Sequence, residues 1–415
     1  MPAKKRTLLV LGGSSDQLSL VRAAQRLGLA TLCLDMNPSS PAFAEAEESA
    51  VVSTRDVPSI LAFLEQRKQR GGTLAGVLTM ASDIPDVVAA VAEHCGLAGP
   101  SRETARLATD KLAMKQRFAE RGVPIPWFAE VRELDELEQA RRERGTVVLK
   151  PIDRSGSRGV FVVRPGDDAR ELFTRSREFA YSGRVMVEQH LEGPQLSTES
   201  VLWDGRAMTP GFADRNYELN ARFAPQVMEN GGWVPSRFEG AERRAIEEAT
   251  VAAARALGIE RGTAKGDLVW TKDGPKVIEI AARLSGGDLC ESLVPLSSGV
   301  DYVREAVRIA LGEEPDWAAL EPKRARPVAN RYFFPEPGVL ESVEGLDKAR
   351  SQPWVKKLEV WYRPGDVVPP SLSHAHRFGV FVVVADDRAA LERRIEWVYR
   401  TVRIVTRAAE RSAAA

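Results

Sequence analysis

Apolar residues at the start of the chain come in short runs separated by stretches with helical spacing. Residues 7–11 read as a buried strand, 17–27 as a helix stopped by Gly28, 30–34 as a second strand, 59–69 as a helix, 75–79 as a third strand and 85–94 as a further helix. Strands alternating with helices predict a parallel α/β sheet covered by helices on its faces. The break at 96–100 closes this part. Ser101 is placed to cap the next helix, and Asp110 to begin or cap the one that carries Lys111 and ends before Gly122.

The pattern changes after Pro126. Residues 146–150 read as a strand, 153–159 as a Gly/Ser loop, 160–163 as a strand and 168–178 as a helix, which together make a small α+β lobe. Strands follow at 184–189, 196–203 and 206–212, then a long irregular stretch at 214–234, a helix at 241–257, a hairpin over 264–281 and a helix near 302–311. From Pro322 a segment punctuated by Pro and Gly ends in a strand at 379–384 and an amphipathic helix at 388–402. The Ala-rich tail from Ala408 is expected to fray. The chain shows no internal repeat.

Composition narrows the class. The 415 residues are 44% hydrophobic and 28% charged, an ordinary globular balance, and 58 basic against 58 acidic residues give no net charge to favour nucleic acid or an anionic membrane. No apolar run approaches the length of a membrane span, and the run behind the basic Lys4-Lys5-Arg6 is too short for a signal segment. The 3 cysteines, Cys33, Cys95 and Cys290, are widely spaced among apolar or small residues, which fits free thiols in a reducing cytoplasm.

The chemistry concentrates in the hairpin. With a five-residue loop at 271–275, Asp267 would face Glu279 on one side of the sheet, with β-carbons ~5 Å apart, and that like-charge pairing destabilises the sheet unless a cation lies between them. Mg²⁺ favours one or two carboxylates completed by phosphate oxygens, and Arg283, Gly286 and Gly287 follow on the same segment. An incidental acid pair on a solvated hairpin face is the alternative.

Lys150 ends the buried strand Val147-Val148-Leu149-Lys150, where a charge needs a partner. The loop of Ser155, Gly156, Ser157, Arg158 and Gly159 just beyond has the small residues that let backbone N–H groups approach phosphate, although not in P-loop order. Glu188, Gln189, His190 and Leu191 end a strand where backbone can pair with a purine edge and an acid with ribose, or simply be solvated. Gly12-Gly13 with Asp35 resembles a dinucleotide turn, but the glycine pattern fails at its third and last positions, Ser14 and Gln17; a small-molecule carboxylate or amine site at that strand end is one alternative, and a tight turn needing small residues accounts for it at least as well. His374-Ala375-His376 has chelate spacing without a third ligand and reads as an ordinary loop.

Taken in order, these residues resemble the ATP-grasp superfamily over essentially the whole chain, most closely its carboxylate–amine ligases, including amino-acid ligases. The match comprises the opening α/β part, Asp110-Lys111, Gly122-Val123-Pro124-Ile125-Pro126, Val148-Leu149-Lys150-Pro151, the 155–159 loop, the run 187–193, and Asp267 with Glu279 and Arg283. The resemblance implies an ATP-grasp fold with a Rossmann-like pre-ATP-grasp domain at 1–110, an ATP-grasp domain at 111–312 (small lobe 125–184, large lobe 185–312) and a C-terminal α+β domain at 313–415.

It further implies ATP held between two lobes, with Lys111 and Lys150 on phosphates and the loop of Ser155, Gly156, Ser157 and Gly159 over them. Glu188, Gln189, His190 and Leu191 would form the adenine and ribose edge, with Glu199 as a further nucleotide-side acid. Asp267 and Glu279 would hold Mg²⁺, or Mn²⁺ in its place. Arg283 would meet the phosphoryl group or substrate carboxylate, with Lys150 beside it in catalysis. Ser285, Gly286 and Gly287 would shape the acceptor pocket, and Arg215 and Glu229 would cover the substrate.

The chain departs from the family where an asparagine commonly follows the second acid by two residues: Ala281 stands there, which removes a ligand for a second Mg²⁺. Gln195 also stands where many relatives carry glutamate, and Asp267 is a shorter acid than the frequent glutamate or glutamine. The implied activity is ATP-dependent amide or peptide bond formation through an acylphosphate, on small carboxylates and amines, in the cytoplasm, and the resemblance is compatible with a homodimer. The alternatives are a bicarbonate-using carboxylase-like or purine-pathway enzyme, and a non-catalytic nucleotide-binding protein on the same scaffold.

Overall fold

The opening apolar runs build the expected parallel sheet, in a computed structural model that describes residues 5–408. Its strand order is Glu48–Val51, Ala30–Asp35, Thr7–Leu11, Gly76–Leu78, with all neighbours parallel. Leu9, Leu11, Leu32 and Leu34 pack with Val87 and Val91 of the helix Pro85–Cys95, so burial on the sheet faces explains the unbroken apolar runs. The edge strand Glu48–Val51 is not apparent in the sequence because it has no apolar run; its residues alternate between half-buried and exposed.

The turn after the first strand uses its polar residues structurally. The Asp35 carboxylate accepts from the Gly13 and Asn37 backbone N–H groups at 2.7 Å each. The Gln17 amide is buried and exchanges two hydrogen bonds with the Met80 backbone, at 2.7 and 3.0 Å. This is the tight-turn reading, with Gln17 tying two elements together where a dinucleotide turn would have glycine.

Two compact units divide the chain. The first gathers the described residues up to Pro126 with Glu192–Phe212 and Arg237–Lys323; the second gathers Trp127–Leu191, Ala213–Ser236 and the described residues from Arg324 onward. Beyond the parallel sheet, the first unit has an antiparallel set in which Gly274–Ala281 pairs with Arg261–Thr271 and the latter with Gln195–Trp203. Leu196, Leu202, Ala264 and Leu268 face the helix Gly240–Ala256, through Ile246, Ala249 and Ala253. Strand alternation therefore sends Ser197, Glu199, Lys265 and Asp267 to the opposite face.

The hairpin turn is tighter than expected. Thr271 pairs with Gly274, leaving only Lys272 and Asp273 in the loop instead of the five residues at 271–275. In that register an unbroken strand would set Ile278 opposite Asp267 and turn Glu279 toward the helix. A bulge intervenes: Leu268 pairs with Val277, and Asp267 then pairs with Glu279. The expected facing of the two acids is thus reached by a two-residue turn plus an extra residue.

The bulge is supported from outside the sheet. The Val277 N–H donates to Pro124 O at 2.8 Å, and Val277 O accepts from Lys115 Nζ at 2.9 Å. Lys115 is 1% exposed and lies one turn after Lys111 on the helix Lys111–Glu120. These contacts satisfy backbone groups on an edge strand and fasten that helix beside Glu279.

The second unit has an antiparallel sheet ordered Phe128–Val131, Val185–Gln189, Val147–Pro151, Phe161–Val163, packed on the helices Leu134–Arg144 and Ala169–Phe179. The helix Leu134–Arg144 escapes a pattern reading because only Leu137 and Ala140 are buried in a mostly charged sequence. Gly232–Val234, Val328–Phe333, Gly379–Val384 and Val355–Val360 form further antiparallel pairs, and Gly338–Glu344 pairs with Val367–Val368 and Arg403–Arg407.

The Pro/Gly-punctuated segment is therefore rich in strands, its prolines falling between them. The stretch expected to be irregular at 214–234 contains the helical turn Asn220–Phe223 and the strand Gly232–Val234. The Ala-rich tail lies, after Ala408, outside the described residues. Among the described residues, no helix is long and apolar enough to cross a membrane.

Candidate functional site

On the first unit, strand register assembles a charged face. Asp267 stands opposite Ser197 on one side and Glu279 on the other; Lys265 stands opposite Glu199 and Ala281. Asp267 is ion-paired with Lys265 and accepts from Ser197 Oγ at 2.6 Å. Lys111 begins its helix under the Asp110 cap, which accepts from the Leu112 and Ala113 N–H groups, and its Nζ lies 3.7 Å from Glu279 Oε2. Two facing carboxylates are thus balanced by two lysines.

The donor set suits a hard divalent cation that draws most of its ligands from elsewhere. Asp267 is 5% exposed, while the Glu279 side chain is 32% exposed. Ala281 contributes no ligand, and no cluster of three His, Cys, Asp or Glu residues suited to a metal occurs among the described residues. Such a pair fits Mg²⁺ completed by phosphate oxygens and water, and does not fit an all-protein cage.

Arg283 follows on the same segment. Its Nε donates to Asp83 Oδ1 at 2.6 Å and one Nη to Leu284 O at 3.0 Å. Burial opposes its charge, but Asp83 and then Glu279 outweigh burial and raise its pKa. Ser285 Oγ is buried without a hydrogen-bond partner. Around it, Ala81 and Asp288 both adopt left-handed backbone, with φ of 61° and 69°, conformations that are costly for side-chain-bearing residues. Gly286 is required by close approach, since a Cβ there would lie 2.4 Å from that of Ala81.

Glu199 is 0% exposed, and neither carboxyl oxygen has a hydrogen-bond partner. Burial pushes its pKa up to about 7, with the positive charges of Lys265 and Arg283 pulling the other way. The side chain is enclosed: a Cβ on Gly211 would come 2.8 Å from the Glu199 Cβ.

An acid whose folded pKa exceeds its unfolded value loses stability as pH rises. The effect is absent below the ordinary glutamate range and grows to up to ~3 kcal/mol above pH 7. Glu199→Gln should therefore leave the thermal midpoint near that of wild type at pH 5 and raise it by several degrees at pH 8.5. A gap that does not widen with pH would show that Glu199 finds a compensating partner.

The second unit holds the other expected residues. Lys150 Nζ lies 2.6 Å from Glu188 Oε2, with both side chains almost fully buried, so each supplies the partner the other needs. Gln189 and His190 are exposed at the end of that strand and Leu191 is half-buried. Gly156, Ser157 and Gly159 take left-handed φ values of 66°, 58° and 72°. Arg215 is ion-paired with Glu229, and an Arg377 Nη donates to Glu229 O at 2.8 Å. Burial favours the neutral Glu229 carboxyl, but the Arg215 and then the Arg377 guanidinium prevail and hold its pKa at about 2.

Several members of these clusters carried no role in the sequence reading. Lys265 was legible, since it alternates with Asp267 on one strand face. Asp83, Lys115, Arg377 and His374 reach the site residues through tertiary contacts that local spacing does not encode. His374 in particular, read as part of an ordinary loop, lies against both Ser157 and Glu229.

Comparisons with known proteins bear on this arrangement. A family model described as "ATP-grasp domain" matches residues 108–287, and one described as "L-amino acid ligase C-terminal domain 2" matches residues 331–407. A D-alanine–D-alanine ligase of Acidiphilium cryptum is 28% identical over 304 residues, covering 72% of this chain and 95% of its own. An L-arginine-specific L-amino acid ligase of Bacillus subtilis is 22% identical over 285 residues, 66% of each chain. The crystal structure of an L-amino acid ligase from Bacillus licheniformis shares the fold at a TM-score of 0.82 and 21% identity, covering 98% of this chain and 100% of that one.

Proposed function

We propose that this chain, which belongs to the ATP-grasp superfamily, is an ATP-dependent carboxylate–amine ligase of the amino-acid ligase type, forming an amide or peptide bond through an acylphosphate. The observation that carries the reading is the register that sets Asp267 against Glu279, with Lys111 and Lys265 beside them and Arg283 on the same segment. Phosphoryl transfer asks a protein mainly for alignment and for neutralisation of charge on the transferred group, which these side chains can supply without a covalent enzyme intermediate.

In this reading a substrate carboxylate oxygen attacks the γ-phosphorus, ADP leaves, and an amine then attacks the acyl carbon and displaces phosphate. A divalent cation held by Asp267 and Glu279 would neutralise phosphate charge. On the first unit, Lys111 would orient phosphate and Arg283 would meet the transferred phosphoryl group or the carboxylate. On the second, Lys150 and the loop of Ser155, Gly156, Ser157 and Gly159 would bind phosphate and keep water from the acylphosphate. Glu188, Gln189, His190 and Leu191 would take the adenosine, and Arg215 with Glu229 the amino-acid substrate.

The expected result of a phosphate-release screen over pairs of amino acids is release that requires both partners, with ADP and a dipeptide or amide identified by mass spectrometry. Incorporation of labelled bicarbonate in place of amide formation would move the assignment to a carboxylase-type member. ATP binding without phosphate release on any pair would leave a binding protein.

A further inference from the structure

His374 connects two parts of the second unit that the proposed function uses separately. Its backbone N–H donates to Gly156 O at 3.2 Å, and its Nε2 lies 3.2 Å from Ser157 Oγ. The same Nε2 accepts from the Glu229 N–H at 3.3 Å. A ring nitrogen that accepts from a backbone N–H is unprotonated, so this network assigns the neutral tautomer, with Ser157 Oγ as donor to Nε2.

Both loop residues touched by His374 are in left-handed backbone, and Ser157 lacks the freedom of glycine there, so that conformation needs support from outside the loop. On the other side, Glu229 is fixed by Arg215 and Arg377, and the Arg377 guanidinium lies 3.7 Å from the centre of the Tyr332 ring. The histidine is therefore braced between an immobilised acid and a strained loop. Nothing in the local sequence Ser373-His374-Ala375-His376 announces this, because its contacts lie 145 and 217 residues away.

We propose that His374 is a positioning residue that couples Glu229, on the substrate side, to the phosphate loop, so that the loop shields the acylphosphate while the amine is in place. The inference rests on the ligase reading, in which Glu229 meets the amino-acid substrate and the 155–159 loop covers the phosphates. Without the imidazole the loop keeps the backbone contact at Gly156 but loses its tie to Glu229. Water then competes with the amine for the acyl carbon, and phosphate leaves either way.

The readout is the ratio of ADP released to amide formed, which a merely structural residue would not change. His374→Ala should raise that ratio about fivefold or more over wild type, mainly through hydrolysis. His374→Gln, whose side-chain carbonyl can accept near the position of Nε2, should stay within about twofold of wild type. Ser157→Ala provides an independent approach from the loop side, should His374→Ala fail to fold. It should uncouple in the same sense, and its effect should not add to that of His374→Ala, as expected for two members of one contact.

A lower overall rate with an unchanged ADP-to-amide ratio in both His374→Ala and Ser157→Ala would overturn the coupling while leaving the ligase reading intact. A wild-type protein that releases phosphate without forming amide would overturn the ligase reading, and the coupling with it.

Discussion

Glu279→Gln should preserve the fold and cut Mg²⁺-dependent turnover by about 10²- to 10³-fold, the scale on which losing one electrostatic partner of a transition state is felt. The substitution is nearly isosteric, and the Glu279 side chain is partly exposed, so little packing is lost. What changes is charge: Asp267 would remain as the sole carboxylate of the facing pair, already engaged by Lys265 and Ser197, and Lys111 would lose the acid 3.7 Å away. Turnover measured across a Mg²⁺ titration should show both a lower plateau and a half-saturation shifted to higher metal, with an unchanged far-UV circular dichroism spectrum. Wild-type values for plateau and half-saturation would remove Glu279 from the metal site.

Arg283→Lys should cost about 10²-fold in the rate of ADP formation in a single turnover while leaving ATP affinity within a fewfold of wild type. A planar guanidinium can donate to Asp83 and Leu284 O and still offer N–H groups to a phosphoryl oxygen or carboxylate; a lysine ammonium has to choose. If Arg283 served only to tie the segment to Asp83, the lysine variant would retain that ion pair and the rate of the chemical step would hardly move. Rapid-quench measurement of ADP at saturating ATP separates the two outcomes.

Much of this arrangement was legible from local pattern. The parallel opening sheet followed from unbroken apolar runs, and the helix bearing Lys111 from Asp110 at its N-cap. The facing of Asp267 and Glu279 was also reached, although through an incorrect loop: the chain uses a two-residue turn and recovers the pairing with a bulge at Ile278. Local pattern does not encode the bulge, because its supports, Lys115 and Pro124, lie more than 150 residues earlier in the chain.

Elsewhere the missing information was of two kinds. The edge strand Glu48–Val51 and the helix Leu134–Arg144 bury too few apolar side chains to leave a periodic signal. The strands between Val328 and Val368 are short and bounded by prolines, so breaks dominated the reading there. Site residues defined by tertiary contact formed the second kind: Asp83 meets Arg283 across 200 positions and His374 meets Ser157 across 217. No spacing rule links such residues before the fold is known.

In the proposed reaction a carboxylate is activated by phosphorylation before an amine displaces the phosphate. This sequence is tested most directly by supplying the substrate carboxylate doubly labelled with ¹⁸O and following the label in the released phosphate. Passage through an acylphosphate transfers one carboxylate oxygen to phosphate at each turnover, so singly labelled phosphate should appear in step with amide and ADP. Unlabelled phosphate formed alongside amide would contradict the account, because it would mean that the carboxylate never bonded to the phosphorus.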